Sequence, residues 1–340
     1  MDLTLGPEET AVRDAIRGVL AERAPLARVR AVVAAEPGFD EALWREAAAL
    51  GWFGLGLPEA AGGAGYGVAE EMLLFVELGR ALTPGPWLGT VLAAHALPPG
   101  PARAALLRGE LRVAVIDDPS EALGRGPRLA GVAGGVTDAG AAGGFLVLGS
   151  GAAHYVAAGD GRVAVASRPS IDPTRRLGEL RLDGVAAEPL AADAAALRTL
   201  ATVLAAAEAA GIAERTLEDS VAYARVRQQF GRPIGSFQAV KHRCADMAVR
   251  AEVARSLTTF AAVALAEGEA DASRHAAAAK ALATDAALAN AADNVQNHGG
   301  MGFTWEADAH LHLKRAWLLE HSFGTRAAHL DALAAPWRVA

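Results

Sequence analysis

The feature that most constrains the fold is a set of long helical stretches in the last part of the chain. Apolar residues recur there at helical spacing in four segments, at about 192–227, 237–266, 269–297 and 306–321. Helices of this length must bury their apolar stripes against neighbours. Alanine and leucine dominate and only 5% of the residues are aromatic, so small aliphatic side chains must build the core. We therefore expect a tightly packed helical bundle.

The first part of the chain has two different sequence patterns. From Pro7 to about Leu107 the pattern is helical, except for the glycine-rich segment Gly51–Gly67, which we predict to be a loop. Between Leu111 and Leu190, short apolar runs alternate with Gly, Asp, Pro and Ser, as in a small β domain. We predict an α+β fold, mostly α, with a helical domain over 1–110, a short β domain over 111–190 and a helical bundle over 191–340.

Charge and cysteine content argue against several classes of protein. The chain has 32 basic and 39 acidic residues and no run rich in Lys or Arg, so we expect no nucleic-acid partner. The acidic N-terminus lacks the features of a secretory signal, and charged residues interrupt the alanine-rich stretches before they reach membrane-spanning length. Cys244, the sole cysteine, is predicted to be a small buried residue on a helix. We predict a cytoplasmic protein without a membrane span.

Two segments in the last third carry most of the chemical information. Tyr223–Met247 contains R-Q-Q-F-G-R-P, which places Arg227 at a helix end followed by a forced turn. A guanidinium at such a corner can bind a phosphate or a carboxylate, although a surface arginine paired with an acid is a common alternative. Gln296–Glu306 contains Q-N-H-G-G-M-G-F, a turn whose N–H groups can approach an anion or a flat ring closely. Taken alone, it could also be a simple helix-to-helix connection.

Together with the loop Gly51–Gly67, and in this order, these segments resemble the acyl-CoA dehydrogenase family over essentially the whole chain. In that family, the arginine of R-x-x-F-G and the Q-x-x-G-G turn reach across a dimer interface to the ADP part of FAD held by the neighbouring subunit. The resemblance implies FAD as the cofactor, an acyl-CoA as the substrate and electron-transfer flavoprotein as the electron acceptor. The cofactor contacts that it implies are Arg227, Phe230, Gln238, Gln296, Gly299, Gly300 and Thr325.

The position of the catalytic base departs from the family pattern. The implied reaction is α,β-dehydrogenation of an acyl-CoA thioester, in which a carboxylate removes the α-proton. Most members carry this carboxylate in an E-G-T motif, but Phe323 occupies the matching position here. A minority carry it on the helix before R-x-x-F-G, where the matching residue is Ala201. Both usual positions therefore lack the base.

Glu208 is the remaining candidate for the base. It follows Ala201 by about two helical turns on the same face, within the apolar run A-T-V-L-A-A-A-E-A-A-G-I-A. An unpaired carboxylate there would suit a base, but a glutamate paired with an arginine across the bundle suits the position as well, and we prefer this structural alternative.

Three other polar residues near the glycine-rich turn have structural explanations. Glu306 is predicted to open a helix as an N-terminal acid. His310 and His312 are two residues apart and cannot share one helical face, so we expect no metal site.

The β domain departs from the family as well. In relatives a T-E-P-x-x-G-S-D-like segment contacts the flavin ring, whereas its nearest counterpart here, Val115–Gly124, lacks the threonine and serine donors at the matching positions. The chain thus resembles subunits of the actinobacterial-type heterotetrameric enzymes, in which two different family members share the flavins. A bulky acyl-CoA, such as a steroid side-chain ester, is the substrate that this resemblance suggests.

Three hypotheses follow from these features. The chain is an active dehydrogenase that uses Glu208 or another base, paired with a homologous subunit or with itself. Alternatively, it is a catalytically silent partner that completes the FAD site of an active homologue. The most distant hypothesis is a purely structural helical protein.

Overall fold

The computed structural model describes residues 3–335, which form helices at both ends and strands in the middle. The first helices are α1 (Pro7–Arg23), α2 (Leu26–Val33), α3 (Glu41–Ala49), α4 (Val68–Ala81), α5 (Trp87–Ala96) and α6 (Pro101–Leu107). The strands in the middle of the chain are β1 (Val113–Asp117), β2 (Arg128–Thr137), β3 (Gly144–Leu148), β4 (Ala153–Ala157), β5 (Val163–Arg168), β6 (Leu177–Ala186) and β7 (Glu188–Leu190), and two short strands, β8 (Gln228–Gln229) and β9 (Arg232–Pro233), form a separate hairpin after them. The last helices are α7 (Ala194–Val226), α8 (Gln238–Ala266), α9 (Ala272–His298), α10 (Ala309–Glu320) and α11 (Arg326–Ala334). The predicted fold class is confirmed.

Local sequence signals account for the helix ends near the N-terminus. α1 begins at Pro7 with Glu8 and Glu9 in its first turn, where negative charge opposes the helix dipole. The Asp40 side chain caps α3 by accepting hydrogen bonds from the backbone N–H groups of Ala42 and Leu43. Gly51 follows α3 with φ of +77°, the left-handed conformation that the sequence predicts at this position.

The loop Gly51–Gly67 is ordered by its own backbone. It contains two short 3₁₀ turns, and the N–H groups of Ala64 and Gly65 donate to the carbonyls of Gly54 and Leu57 at 3.0 and 2.9 Å. The buried Glu71 carboxylate, on α4, accepts a hydrogen bond from Gly56 N at 3.0 Å and lies 2.9 Å from His95 Nε2. The predicted loop is therefore confirmed, and a buried carboxylate holds it in place.

The strands form two facing sheets with a shared apolar core. One sheet has the order β1-β3-β4-β7, in which β1 and β3 are parallel, and the other is antiparallel with the order β2-β6-β5. Phe145, Val156, Leu180 and Leu129 are among the buried residues of this core. The sequence of β2, R-L-A-G-V-A-G-G-V-T, has no continuous apolar run and resembles a turn. Gly131 and Gly135, both with positive φ, lie at its two register irregularities.

Two expectations about single residues were wrong. Glu306 does not open a helix, because α10 begins only at Ala309 and Glu306 is exposed in the preceding turns. Cys244 is only half-buried on α8, where Asn297 Nδ2 lies 3.8 Å from its sulfur. The alanine-rich segment 276–292 forms the predicted packed helix within α9, and most of its alanines are buried.

The chain divides into two compact units that are interleaved in sequence. One unit comprises residues up to 21, 72–82 and the chain from 202 onward, and the other comprises 22–71 and 83–201. The three-domain division with boundaries near residues 110 and 190 follows the secondary structure and stays a prediction. Among the described residues, one helix, α7, is long and apolar enough to cross a membrane, but 78% of its most apolar stretch is buried inside the protein.

Two glycines allow the backbones of α4 and α7 to come into direct contact. A Cβ added to Gly79 would lie 2.1 Å from the carbonyl oxygen of Glu208, and one added to Gly211 would lie 2.0 Å from that of Val76. Each glycine therefore provides the space that the backbone of the other helix occupies.

We expect Gly211→Ala to lower the free energy of unfolding by about 1–3 kcal/mol, because the new methyl group forces the two helices apart. Helix propensity alone predicts the opposite sign. The control is Gly18→Ala on α1, where a Cβ meets nothing within 4 Å and a gain of about 0.5–1 kcal/mol is expected. Urea unfolding of both variants measures this difference, and equal shifts for both would contradict it.

Candidate functional site

Arg227 leaves the end of α7 and starts a tight exposed hairpin. Gln228–Gln229 pairs with Arg232–Pro233, and the Ile234 N–H donates to the Arg227 carbonyl at 2.8 Å. Phe230 and Gly231 between them have φ of +53° and +75°, the pair of left-handed residues typical of a two-residue hairpin turn. The Phe230 side chain is 92% exposed, and Arg227 has no ion-pair partner within residues 3–335. The hairpin thus presents a free cation and an aromatic ring to the solvent.

The glycine-rich turn after α9 is open on its outer side. Gly299 has φ of +63°, and a Cβ at either Gly299 or Gly300 would meet nothing within 4 Å. Gly302 differs, because a Cβ there would lie 2.3 Å from the Val295 carbonyl oxygen. Internal packing therefore requires Gly302 but not Gly300. At Gly300 the missing side chain leaves room for a group from outside the chain to approach the backbone.

Polar and aromatic contacts hold the hairpin and the turn at the same end of the bundle. The Tyr223 ring stacks on His298 with ring centroids 4.1 Å apart, and Tyr223 O accepts the backbone N–H of Arg227. Arg243 Nη1 on α8 donates to Asn297 Oδ1 at 2.8 Å. The residues that flank Arg227 and Gly299 are thus fixed to each other through α7, α8 and α9. We call this exposed region, formed by 227–238 and 296–303, the bundle end.

The other predicted cofactor contacts divide into two groups. Gln238, the first residue of α8, and Gln296, near the end of α9, are exposed at the bundle end. Thr325 lies elsewhere, because the carbonyl of its neighbour Gly324 is 3.4 Å from Lys280 Nζ on α9. Since a helix rises about 1.5 Å per residue, Lys280 and Gly299 are about 28 Å apart along α9. Thr325 therefore does not join the other contacts within one chain.

Neither usual base position holds a carboxylate, and Glu208 is engaged in the core. Ala201 is fully buried, and Phe323 is half-buried with φ of +54°. Glu208 is 3% exposed, and its Oε1 accepts a hydrogen bond of 2.6 Å from Nη1 of the fully buried Arg315. The structure thus provides the arginine partner that the structural alternative requires. A role of Glu208 in proton removal stays a prediction.

Both histidines of α10 are buried. The His310 ring packs edge-on against Trp305 with centroids 4.7 Å apart, and His312 Nε2 lies 3.4 Å from the Arg80 carbonyl oxygen. Burial lowers the pKa of His312 to about 4, so its imidazole is neutral at neutral pH. We find a packing role for His312 in the bundle core.

Comparisons with known proteins show the family. The family models for the acyl-CoA dehydrogenase N-terminal and C-terminal domains match residues 6–98 and 194–336. Acyl-CoA dehydrogenase IpdE2 of Mycobacterium tuberculosis is 38% identical over 326 residues, which cover 92% of each chain. The chain belongs to the acyl-CoA dehydrogenase family, whose members are oxidoreductases that act on CH–CH bonds and bind FAD.

Two solved structures are similar over nearly the whole chain. A chain of the ChsE4-ChsE5 complex from Mycobacterium tuberculosis has a TM-score of 0.88 and 28% identity, with 99% of this chain and 100% of that chain covered. A chain from a variant of the Tcur3481-Tcur3483 steroid ACAD has a TM-score of 0.86 and 31% identity, with 97% of both chains covered.

We expect the stability of the wild-type chain to fall as the pH decreases from about 6.5 to about 4, in part because of His312. The unfolded state binds a proton on this histidine below its ordinary pKa of 6.5, whereas the folded state resists it down to about 4. His312→Gln removes this loss, worth up to about 3 kcal/mol. Urea unfolding at several pH values checks this, with the exposed His321→Gln as control. Parallel pH profiles for wild type and His312→Gln would contradict it.

Proposed function

We propose that this chain is a subunit of a flavin-dependent acyl-CoA dehydrogenase and that its bundle end binds the ADP part of FAD held by a homologous partner subunit. The observation that carries the proposal is the convergence of an unpaired exposed arginine and an open glycine turn at one end of the bundle. A guanidinium and backbone N–H groups are the donors that a pyrophosphate requires, and in this turn the Gly299 N–H already donates to the Gln296 carbonyl, so Arg227 is the principal donor.

The exposed apolar residues of the bundle end support a site completed by a second chain. Phe230 and Phe303 are 92% and 72% exposed, and Val226, Met301 and Trp305 are exposed beside them. Isolated apolar side chains are common on surfaces, but several around a free cation are typical of an interface that a partner covers. Residues on both sides of such an interface would enclose the nucleotide and exclude water from the Arg227 contact.

The β-domain segment Val115–Gly124 does not fit a flavin ring. Asp117 is paired with Arg198 at 2.7 Å, and the buried Asp118 accepts hydrogen bonds from the N–H groups of Ala122 and Leu123 at 2.8 and 2.9 Å. Ser120, the hydroxyl in this segment, lies 3.2 Å from the Asp118 carboxylate, to which it donates. The segment is thus closed on itself, and its hydroxyl donor is already used. This supports a ring held by the partner and not by this chain.

Two roles in proton removal are consistent with the family reaction. FAD, when bound, accepts the hydride from the β-carbon, and a carboxylate must take the α-proton. If Glu208 were the base, it would have to leave its ion pair with Arg315 and reach a substrate. The fully buried pair therefore favours the second candidate, a catalytically silent subunit whose partner supplies the base.

The substrate, the electron acceptor and the location follow from the relatives. The similarity to the Tcur3481-Tcur3483 steroid ACAD supports a bulky acyl-CoA, such as a steroid side-chain ester, as the substrate. The ChsE4-ChsE5 complex supports a homologous second subunit as the partner, with self-association as the alternative. Electron-transfer flavoprotein is the acceptor that family membership suggests. A cytoplasmic location accords with the single cysteine, which has no second thiol in the chain for a disulfide.

We expect Arg227→Ala to weaken FAD binding by the co-purified complex of this chain and its homologous partner. Loss of a charge-assisted hydrogen bond costs about 1.5–3 kcal/mol, or roughly ten- to hundredfold in Kd. FAD titration of the apo complex, followed by flavin fluorescence, measures the affinity. Arg225→Ala removes the same charge from the exposed last turn of α7 and serves as the matched control. Unchanged affinity in Arg227→Ala, or an equal loss in Arg225→Ala, would contradict the proposed site.

The Glu208→Gln variant distinguishes the hypothesis of a catalytically active subunit from that of a silent one. In a silent subunit, the oxidation rate of an acyl-CoA per bound flavin stays within about threefold of the wild type, although loss of a buried ion pair lowers the free energy of unfolding by up to about 3–5 kcal/mol. Arg315→Met breaks the same pair and leaves the carboxylate in place. A rate loss of a hundredfold or more in Glu208→Gln alone, with flavin retained, would identify Glu208 as the base.

A further inference from the structure

Two side-chain contacts join α7 to α9 in the last turns before the bundle end. Ser220 Oγ donates to Asn294 Oδ1 at 2.8 Å, and both residues are fully buried. The Tyr223 ring stacks on the His298 ring, with centroids 4.1 Å apart and planes inclined by 23°. Both contacts therefore connect the helix that leads into the hairpin to the helix that leads into the glycine-rich turn.

The spacing of the two contacts sets the register of these helices. From the first contact to the second, α7 advances from 220 to 223 and α9 from 294 to 298, which is about one helical turn on each. Both helices thus run towards the bundle end in the same direction and in step. One further turn brings α7 to Arg227 and α9 to the turn 299–302. The two parts of the proposed cofactor site therefore lie one turn beyond the stacked pair.

The orientation of the His298 ring is fixed by its own helix. Its Nδ1 lies 2.8 Å from the Asn294 carbonyl oxygen, and because a carbonyl only accepts, Nδ1 carries a proton and donates. The ring is thus held between this hydrogen bond and the Tyr223 ring. A shift of either helix by one residue would break the stack and separate the buried Asn294 and Ser220 side chains, which is costly. These contacts therefore favour one register of α7 against α9.

Each stacked residue is directly connected to one part of the site. The Tyr223 carbonyl accepts the backbone N–H of Arg227 at 2.9 Å, in the last turn before the hairpin. His298 immediately precedes Gly299, whose N–H donates to the Gln296 carbonyl. Displacement of either ring would therefore move the guanidinium and the glycine turn relative to each other.

We propose that Tyr223 and His298 are positioning residues that set the distance between the Arg227 guanidinium and the turn at Gly299 and Gly300, so that both meet one dinucleotide. The proposal deepens the proposed function and rests on it, because the site that it organises is the bundle end, which binds the ADP part of FAD there. Neither ring contacts the cofactor in this proposal. The two rings act through the backbones of α7 and α9.

Hydrogen exchange of the full chain tests the positioning without the cofactor. We expect Tyr223→Leu to accelerate amide exchange about tenfold or more at 222–227 and 296–302, because the two helix ends lose the contact that joins them. Tyr223→Phe keeps the ring and should exchange like the wild type. The matched control is Phe260→Leu, which removes an aromatic contact to His275 at the other end of α9. Unchanged exchange at 222–227 and 296–302 in Tyr223→Leu would overturn the proposal, as would the same acceleration there in Phe260→Leu.

FAD titration of the co-purified complex with the homologous partner tests the consequence for the site. We expect Tyr223→Leu to weaken FAD binding about fivefold or more, because a site loses affinity when its supporting contacts are loosened. Tyr223→Phe and Phe260→Leu should leave the Kd within about twofold of the wild type. Loosened helix ends with unchanged FAD affinity in Tyr223→Leu would overturn the proposal.

A double-mutant cycle distinguishes positioning from an independent contact with the cofactor. If Tyr223 acts through Arg227, Tyr223→Leu should weaken FAD binding by less than about twofold in the Arg227→Ala background, because the group that it positions is already gone. Fully additive losses in the double variant would contradict a positioning role. If the wild-type complex binds no FAD, the proposed function fails, and the exchange measurement still decides whether the stacked pair fixes the two helix ends.

Discussion

The buried ion pair between Glu208 and Arg315 is the interaction on which the arrangement of the helical bundle depends. It joins α7 to α10, and Arg315 Nη2 also reaches the carbonyl of Leu82, just beyond the end of α4, at 3.4 Å. Alanine-rich helices can pack closely in several registers, because their surfaces offer few side chains large enough to interlock. A buried charge pair allows only one register, since any shift leaves a charge without its partner in the dry core. The two glycine contacts between α4 and α7 then bring the backbones together at that register.

Polar groups of the bundle follow a simple division between the core and the bundle end. In the core, charged groups have partners, as for Glu208 with Arg315 and for Lys280 with two carbonyls. At the bundle end, the Arg227 guanidinium forms no ion pair with a carboxylate of residues 3–335, and a Cβ at Gly300 would meet no atom within 4 Å. Charged groups in the core have hydrogen-bond or ion-pair partners, because burial of a charge without a partner is costly. An exposed charged group can instead be hydrated by water until a ligand binds it. The exposed Arg227 guanidinium and the open Gly300 turn are therefore the place where we propose that the chain binds a ligand.

Much of this could be predicted from the sequence, because helical periodicity and glycine turns are local signals. The long helices begin and end within a few residues of their predicted bounds. Strand β2 carries no such signal, because its glycines, which lie at the register shifts, resemble a turn. An arginine partner for Glu208 could be anticipated from the cost of a buried charge, but its identity could not, since Arg315 is distant in sequence. Lys280 gave no signal, because a single lysine in an alanine-rich helix is usually solvated and only the fold shows it buried.

Arg227 and Thr325 are both predicted cofactor contacts, but the structure separates them. Arg227 lies at the bundle end, whereas Thr325 is tied to Lys280, about 28 Å away along α9. Because packed helices fix this separation, no local rearrangement brings the two residues together. If both contact FAD as the family resemblance implies, each chain gives its bundle end to one cofactor and its Thr325 loop to another, and a complete site requires two chains. A partner subunit that retains its own catalytic base and its own flavin-ring contacts would then need only the bundle end of this chain to complete its FAD site.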